Sequence, residues 1–223
     1  MARRYRDVAQ TLLHEIVDGT PAQFDWLPRE AELEARFGCS RQVVREAIRW
    51  LEERRLVGVR SAQGQQVLSD EGWDLLDPAV LEPVLLRRDP DRSLVRETIE
   101  AVRLIDVDAG RLATTRARDR DFDVLAGELA RMHRADEPEA FVEAQTSFHH
   151  ALLLIGGNRV LAQAAEPLHR TLARLRLARA AQRTPAVLRQ HERILAGLRA
   201  RDAVATTGAL DEHADQLMRW LLR

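Results

Sequence analysis

Three histidines in the carboxy-terminal half of the chain could together bind a divalent metal ion, because imidazole is a common metal ligand. His149 lies in EAQTSFHHALLLIGGN, His191 in RQHERIL and His213 in LDEHADQL, and each segment has helical patterning. Imidazole suits zinc, nickel and similar ions, and imidazoles from three helices can converge inside a helical bundle. The three histidines therefore form a candidate metal site. Histidines so far apart in sequence are more often surface or hydrogen-bonded core residues, and that alternative stays open.

A row of arginines in residues 38–57, GCSRQVVREAIRWLEERRLV, has the chemistry to recognise DNA. Arg41, Arg45 and Arg49 are four residues apart, so a helix presents them on one face, opposite an apolar face. An α-helix fits the major groove, where arginine donates two parallel hydrogen bonds to guanine O6 and N7. We predict that Arg41 and Arg45 share base edges and phosphates while Gln42 reads a neighbouring base. The alternative is a solvated face whose arginines pair with nearby glutamates.

The elements around the arginine row must position it. Residues 3–18 have the apolar spacing of an amphipathic helix, and a second short helix should follow Leu27-Pro28 and end at Gly38. The helix with the arginines then begins at Ser40, whose hydroxyl can cap its free N–H groups. The pattern predicts a helix, then a helix-turn-helix.

Two short runs after the third helix, LVGV and QQVL, have the composition of β-strands and predict a hairpin around residues 61–64. Gln63 and Gly64 would lie at its tip. There they could enter the adjacent minor groove, because the missing side chain of Gly64 permits close backbone approach. The amino-terminal residues 1–68 are therefore predicted to be a winged helix-turn-helix.

The remainder of the chain is predicted to be helical. Residues 69–90 contain prolines mixed with acids and leucines, which is typical of a linker with a short helix around residues 79–88. Residues 91–223 read as about six helices with short loops, which favours an antiparallel bundle. Breaks are expected near residues 119, 136–138, 156–158, 184–185 and 201–202. The fold class is mainly α: a winged helix-turn-helix followed by an all-helical bundle.

Composition limits the function classes. The chain has 223 residues, 45% of them hydrophobic, and a formal net charge of -1. A protein that coats DNA without sequence preference neutralises many phosphates, so this near-zero charge argues against that class. A single cysteine, with no signal sequence and no long apolar stretch, leads us to expect a cytoplasmic protein without a membrane partner.

The segment LPREAELEARFGCSRQVVREAIRWLEERRLV resembles the DNA-binding domain of GntR-type bacterial transcription regulators, whose usual form contains GVSR and VREAL. The following EGWDLLDPAVL and the helical remainder are similar to the FadR subfamily and its ligand-binding domain. The resemblance implies a homodimer that binds a palindromic double-stranded DNA operator. We expect a repressor, with an activator as the alternative. It also implies that a small metabolite controls the affinity for DNA.

The resemblance assigns DNA contacts residue by residue. Eight positions are candidates for the DNA interface: Arg29, Ser40, Arg41, Gln42, Arg45, Arg49, Gln63 and Gly64. The family often has an arginine where this chain has Ala31. Arg29 could substitute for it, although a helix places it on a different face.

The resemblance also assigns the ligand site. FadR-type domains commonly bind a metal through an aspartate and three histidines, and His149, His191 and His213 match the histidines. Gln145 stands at the aspartate position, so either zinc or nickel binds more weakly, or Gln145 and the histidines bind an anion directly. Arg103 matches a cavity arginine that would pair with an effector carboxylate. Its alternative is a surface ion pair with Glu100 or Asp106.

The WDLLDPAVL linker is similar to the branch of the subfamily that responds to sugar acids, so the expected effector is a small carboxylic acid such as an aldonate or hexuronate. Effector contacts are expected from Arg103, Gln145, His149, His191 and His213. No site role is assigned to four other histidines: His14, His133, His150 and His169.

A metal-dependent hydrolase with a three-histidine site is the alternative function. Such an enzyme needs a general base beside the metal. Glu143 is not on the helix face of Gln145 and His149, and Glu192 points away from the face of His191. We therefore predict no catalytic residues and favour a DNA-binding regulator.

Overall fold

The computed structural model describes residues 2–59, 64–87, 90–179 and 184–223. Its contacts divide the chain into two compact units, Met1–Arg88 and Asp89–Arg223, which we consider separately. Gln63, predicted at the hairpin tip, lies outside the described residues. Within the described ranges no helix combines the length and apolar character that a membrane crossing needs.

The first unit has the predicted order of elements. Its regular elements are α1 (Ala2–Val17), α2 (Glu30–Phe37), α3 (Arg41–Glu53), β1 (Val57–Val59), β2 (Gln65–Val67) and α4 (Pro78–Leu86), with a 3₁₀ turn at Asp70–Gly72. The strands pair antiparallel, with Val57 opposite Val67, and Trp26 forms a further bridge to Gln66. This confirms the predicted winged helix-turn-helix. The contacts group α4, in the segment expected to be a linker, with this unit.

Local sequence explains the position of α3. Gly38 ends α2 in the left-handed conformation at φ 55°, which costs glycine little. Ser40 is the N-cap residue of α3, but its hydroxyl does not cap; its carbonyl instead accepts hydrogen bonds from Val43 and Val44. The apolar face of α3 is then buried through five residues: Val43, Val44, Ala47, Ile48 and Leu51.

An ion pair and a ring contact fix the end of α3 within the first unit. The Arg54 guanidinium lies 3.7 Å from the centre of the Trp50 ring and 2.9 Å from an Asp77 carboxylate oxygen. Asp77 also caps α4, because its side chain accepts a hydrogen bond from the Ala79 N–H. The last turn of α3 is therefore joined to the first turn of α4.

The second unit is the predicted bundle. Its described helices are α5 (Arg92–Arg116), α6 (Asp119–Arg134), α7 (Pro138–Gly156), α8 (Arg159–Ala178), α9 (Pro185–Arg199) and α10 (Ala203–Leu221). The gaps between these helices coincide with the predicted breaks. Asn158, Thr184 and Asp202 cap the helices that follow them, and Gly157 ends α7 at φ 70°.

Two helix crossings in the bundle are close because a glycine stands at each. A Cβ at Gly156 of α7 would lie 2.9 Å from the Ala109 carbonyl oxygen of α5, and a Cβ at Gly197 of α9 would lie 2.7 Å from Thr206 Oγ1 of α10. Both distances are shorter than van der Waals contact allows. These crossings set the spacing of the helices that carry the candidate ligands.

The crossing at Gly197 gives a stability prediction. The Gly197→Ala variant should be destabilised by about 1–3 kcal/mol, because the added methyl overpacks the contact with Thr206. Gly208→Ala is the matched control on α10, since nothing lies within 4 Å of a Cβ there and alanine should stabilise by roughly 0.5–1 kcal/mol. Urea unfolding followed by circular dichroism measures both. Equal midpoints for Gly197→Ala and the wild type would contradict the packing.

Candidate functional site

The exposed face of α3 borders a depression in the first unit with a volume of about 550 Å³. Four of the predicted DNA contacts line it together: Arg41, Gln42, Arg45 and Arg49. Gln65 and Val59 of the hairpin line its other side, so helix and hairpin form one concave surface. The structure therefore brings together the arginine row that the sequence indicated.

The three arginines of this row differ in their partners. Arg41 Nε lies 2.8 Å from Glu30 Oε2, and Arg49 pairs more loosely with Glu46 at 3.7 Å. Arg45 is exposed and has no ion-pair partner among the described residues. Pairing with nearby glutamates, the alternative to DNA binding, therefore accounts for Arg41 and Arg49. It does not account for Arg45, whose five N–H donors have no carboxylate partner among the described residues.

The remaining predicted DNA contacts lie at the edges of this surface. Arg29 is exposed at the N-cap position of α2, and its backbone N–H donates to Glu32. Ser40 is exposed, and its hydroxyl stays available because it does not cap α3. Gly64 has a φ of 123°, in the region that favours glycine, and nothing lies within 4 Å of the place of a Cβ.

In the second unit the three candidate histidines meet inside the bundle. His149 of α7, His191 of α9 and His213 of α10 each place one ring nitrogen within 4.8 Å of the others. The ring centres of His191 and His213 are 4.6 Å apart, and those of His149 and His213 are 5.0 Å apart. All three are buried. The structure thus brings together residues that are far apart in sequence.

In each of these histidines the Nδ1 atom faces an oxygen. His191 Nδ1 lies 2.8 Å from the Val187 carbonyl oxygen, and His213 Nδ1 lies 3.1 Å from Gln190 Oε1. His149 Nδ1 lies 2.8 Å from a carboxylate oxygen of Asp106, a short contact that is bent away from a straight hydrogen bond.

The Nε2 atoms of the same three rings are buried and have no hydrogen-bond partner among the described residues. Oxygen acceptors place the proton on Nδ1 of His191 and His213, and the carboxylate beside Nδ1 favours the same tautomer of His149, which leaves a lone pair on each Nε2. Buried polar atoms without a partner are rare in folded proteins and call for an explanation. Three such lone pairs side by side fit the ligand set of a divalent metal ion.

Burial also keeps these imidazoles neutral. Loss of water, with a smaller contribution from the neighbouring His149, lowers the pKa of His191 to about 3. Burial likewise lowers the pKa values of His149 and His213. Neutral imidazole is the form that binds a metal ion.

A cavity of about 490 Å³ opens beside the histidines, and His213 and Gln145 line it. Arg176 of α8 lines it as well, although this side chain is only 4% exposed. Its Nη1 lies 3.4 Å from Gln145 Oε1, and its Nε has no hydrogen-bond partner among the residues that the structure describes. Burial lowers the pKa of Arg176 to about 10, so the guanidinium stays charged at neutral pH.

Arg103, expected to face the ligand cavity, lies elsewhere. Its Nε is 2.7 Å from Asp211 and its Nη1 is 2.9 Å from Asp215, so two carboxylates of α10 occupy the guanidinium. Asp106, one of the two ion-pair partners considered from sequence, instead contacts histidines. The helix places Arg103 on the partly exposed side of α5 and Asp106 on the buried side.

Sequence reasoning missed three residues of the buried cluster: Asp106, His169 and Arg176. His169 Nε2 lies 2.9 Å from Asp106 Oδ1, and its ring stacks on His149. The helical period carried a signal, because Asp106 shares a stripe with Val102 and Ala109 on α5. His169 and Arg176 share another stripe with apolar residues of α8. A charged residue within an apolar stripe indicates a buried partner.

Comparison with known proteins adds two domain matches. Residues 4–67 match the bacterial regulatory proteins of the gntR family, and residues 97–216 match the FCD domain. The first match covers the winged helix-turn-helix, and the second covers the helices that carry the histidines.

Two relatives have described roles. The galactonate operon transcriptional repressor of Escherichia coli (strain K12) is 31% identical over 203 residues, which are 89% of this chain and 88% of that protein. The Uxu operon regulator of Haemophilus influenzae is 29% identical over 167 residues, which are 74% of this chain and 59% of that protein.

Solved structures share the fold at low identity. A structure described as "Lar controls the expression of the Listeria monocytogenes agr system and mediates virulence" has a TM-score of 0.67 at 15% identity, covering 97% of this chain and 95% of that one. E. coli McbR/YncC has a TM-score of 0.56 at 19% identity, covering 98% and 96%. These similarities support the architecture of a winged helix-turn-helix and a helical bundle.

Proposed function

Because the chain belongs to the GntR family of bacterial regulatory proteins and carries an FCD domain, we propose that it is a homodimeric repressor whose operator affinity is controlled by a small carboxylic acid. It is a DNA-binding transcription regulator. The matching domains and relatives are regulators rather than enzymes, so the hydrolase alternative has no support. A protein that binds the bacterial chromosome acts in the cytoplasm, and we place it there.

The observation that carries the DNA-binding part of the proposal is the arginine-lined surface of α3. In our proposal α3 enters the major groove, where Arg45 makes a bidentate contact with guanine and Gln42 contacts a neighbouring base. Arg41 and Arg49 contact base edges or phosphates once DNA competes with their glutamate partners. Gln63 and Gly64 reach the minor groove beside it.

The buried histidines support a metal site in the second unit. His149, His191 and His213 would hold a divalent ion such as zinc or nickel through their unpartnered Nε2 atoms. When bound, the ion supplies a Lewis acid that accepts an oxygen atom of the effector. Gln145 has no negative charge, so a position for an anionic ligand remains for the effector itself.

Arg176 supports a carboxylate effector. A buried guanidinium that borders a cavity and has an unpartnered Nε can donate hydrogen bonds to a carboxylate there. Gln145 contacts Arg176 Nη1. We therefore assign the role expected of Arg103 to Arg176, which lines the cavity, whereas Arg103 pairs with Asp211 and Asp215.

Sugar acids fit this cavity. A volume of about 490 Å³ lies within the range of small-molecule sites. Gln216 lines the same cavity and offers its amide to hydroxyl groups. Relatives named for a galactonate operon and an Uxu operon support an aldonate or hexuronate. In a homodimer, such an effector would change the spacing of two DNA-binding units and thereby weaken binding to a palindromic operator.

The proposal is tested by binding of the full-length protein to fluorescent duplex DNA from the region upstream of its own gene. We expect tight binding that a scrambled duplex of the same length does not compete away. Galactonate, gluconate, galacturonate and glucuronate are then added one at a time. At least one should weaken binding, whereas the corresponding neutral sugars should not. Equal affinity for both duplexes would contradict the proposed function.

Replacing Arg176 should change the response to the effector without changing operator binding. Arg176→Gln should bind the operator as the wild type does but respond to the active sugar acid only at a concentration about 10- to 100-fold higher, because a charged hydrogen-bond partner is lost. Arg170→Gln on the same helix is the matched control, since Arg170 is exposed and pairs with Glu166. An unchanged response in Arg176→Gln would remove Arg176 from the effector site.

A further inference from the structure

Asp106 of α5 is the one carboxylate among the buried residues that the structure describes. It is 5% exposed and lies inside the bundle next to the histidine cluster. Its two carboxylate oxygens lie 2.8 and 2.9 Å from ring nitrogens of two histidines, and such contacts favour the carboxylate form. A buried anion is costly unless its neighbours compensate it.

The two oxygens of Asp106 face two different histidines. Oδ1 lies 2.9 Å from His169 Nε2, and Oδ2 lies 2.8 Å from His149 Nδ1. The rings of His149 and His169 are stacked, with centres 5.2 Å apart. Asp106 of α5 therefore contacts both α7 and α8, through His149 Nδ1 and His169 Nε2.

This contact decides which nitrogen of His149 carries the proton. A carboxylate anion beside Nδ1 favours a proton on Nδ1, and the lone pair then remains on the unpartnered Nε2. The corresponding acceptors of His191 and His213 are a backbone carbonyl and an amide, which are neutral. His149 is thus the one histidine of the three whose outer partner is charged, which makes it the strongest donor.

The charges of the residues around the candidate metal site give an independent reason to assign Asp106 a role there. The three imidazoles and Gln145 are neutral, and the buried Arg176 adds a positive charge. Among the described buried residues, Asp106 is the one protein carboxylate that could compensate a divalent ion before the effector binds. Asp106 contacts His149, one of the candidate ligands, and is therefore close enough to favour a cation in a poorly solvated interior.

We propose that Asp106 is a positioning residue, which orients His149 for metal binding and supplies the negative charge that Gln145 does not supply. This inference rests on the proposed metal site. Asp106, His149 and His169 also lie close enough to form a ligand group of their own. The contacts of 2.8 and 2.9 Å are hydrogen-bond distances, however, and they favour an outer partner of one ion over a second site.

The first test is zinc affinity, measured by competition with a chromophoric chelator on the full-length protein. Asp106→Asn should bind zinc about 10- to 100-fold more weakly than the wild type, the range for loss of an outer carboxylate. Asp211→Asn is the matched control, because that carboxylate pairs with Arg103 on the partly exposed side of the bundle. We expect one zinc ion per chain. Unchanged affinity in folded Asp106→Asn, or two ions per chain, would overturn the inference.

A second measurement uses the wild type, so it does not depend on the folding of Asp106→Asn. In ¹⁵N-histidine NMR spectra, His149 should carry its proton on Nδ1 in both the metal-free and the zinc-loaded protein; His149→Gln assigns the signal. A proton on Nε2 in the metal-free protein would overturn the inference. Should the wild type bind no zinc, the metal proposal and this inference fail together, whereas zinc binding with the His149 proton on Nε2 would overturn this inference alone.

Discussion

Replacing Arg45 with alanine is expected to abolish sequence-specific DNA binding while leaving the fold intact. Arg45 is exposed, so its removal opens no cavity, and no described carboxylate occupies its guanidinium. A bidentate pair of arginine with guanine contributes about 1–3 kcal/mol of discrimination. In the proposed homodimer both half-sites lose the contact, so operator affinity should fall at least about thirtyfold.

The measurement is fluorescence anisotropy with the upstream duplex at moderate salt, compared with a scrambled duplex. Arg36→Ala is the matched control, because Arg36 lies on α2, pairs with Glu15 and does not line the surface beside α3. Arg45→Ala should reduce the preference for the upstream duplex, whereas Arg36→Ala should keep it. If Arg45→Ala binds the operator with unchanged affinity, α3 does not read bases through this row.

The second large effect is expected at His191. His191→Ala removes one of three imidazole ligands and should lower zinc affinity by more than roughly 100-fold, beyond the loss expected for an outer partner. The same variant should lose its response to the active sugar acid, because the effector would lack the metal that accepts its oxygen. Operator binding without effector should stay unchanged, since the arginine row belongs to the other unit.

Elemental analysis of protein purified without chelators or metal columns measures the metal content directly. His133→Ala is the matched control, because His133 is partly exposed and pairs with Glu192 outside the cluster. His191 also packs edge-on against Phe148, so circular dichroism must confirm that His191→Ala is folded. Full metal content in the folded variant would contradict the three-histidine site.

Most of the fold could be predicted because local sequence signals mark the residues at which its helices begin and end. Gly38 ends α2, Asn158 and Asp202 cap their helices through their own side chains, and Pro185 begins α9. Each of these signals acts within a few residues. The four-residue spacing of the arginines was also enough to identify the row. The DNA-binding interpretation and the solvated-face interpretation both require the same helix.

The interior of the candidate site was only partly predictable. The three histidines were candidates from residue type and helical patterning, and family resemblance strengthened the assignment. Their convergence, however, depends on how α7, α9 and α10 pack. Arg103 was assigned to the cavity and lies instead against Asp211 and Asp215. Arg176 and Asp106 supply the buried charges. Which side of a helix faces a neighbour is set by contacts distant in sequence, and one sequence does not contain that information.

The oxygen partners at Nδ1 have a consequence for the cell. Because protein oxygens already lie against all three rings, we expect the bundle to fold without the ion, unlike a small zinc-dependent domain. In the proposed mechanism, a cell deprived of metal would keep a folded repressor that still binds its operator but no longer responds to the sugar acid. The genes under its control would then stay silent during metal starvation, and the use of sugar acids would depend on the supply of trace elements.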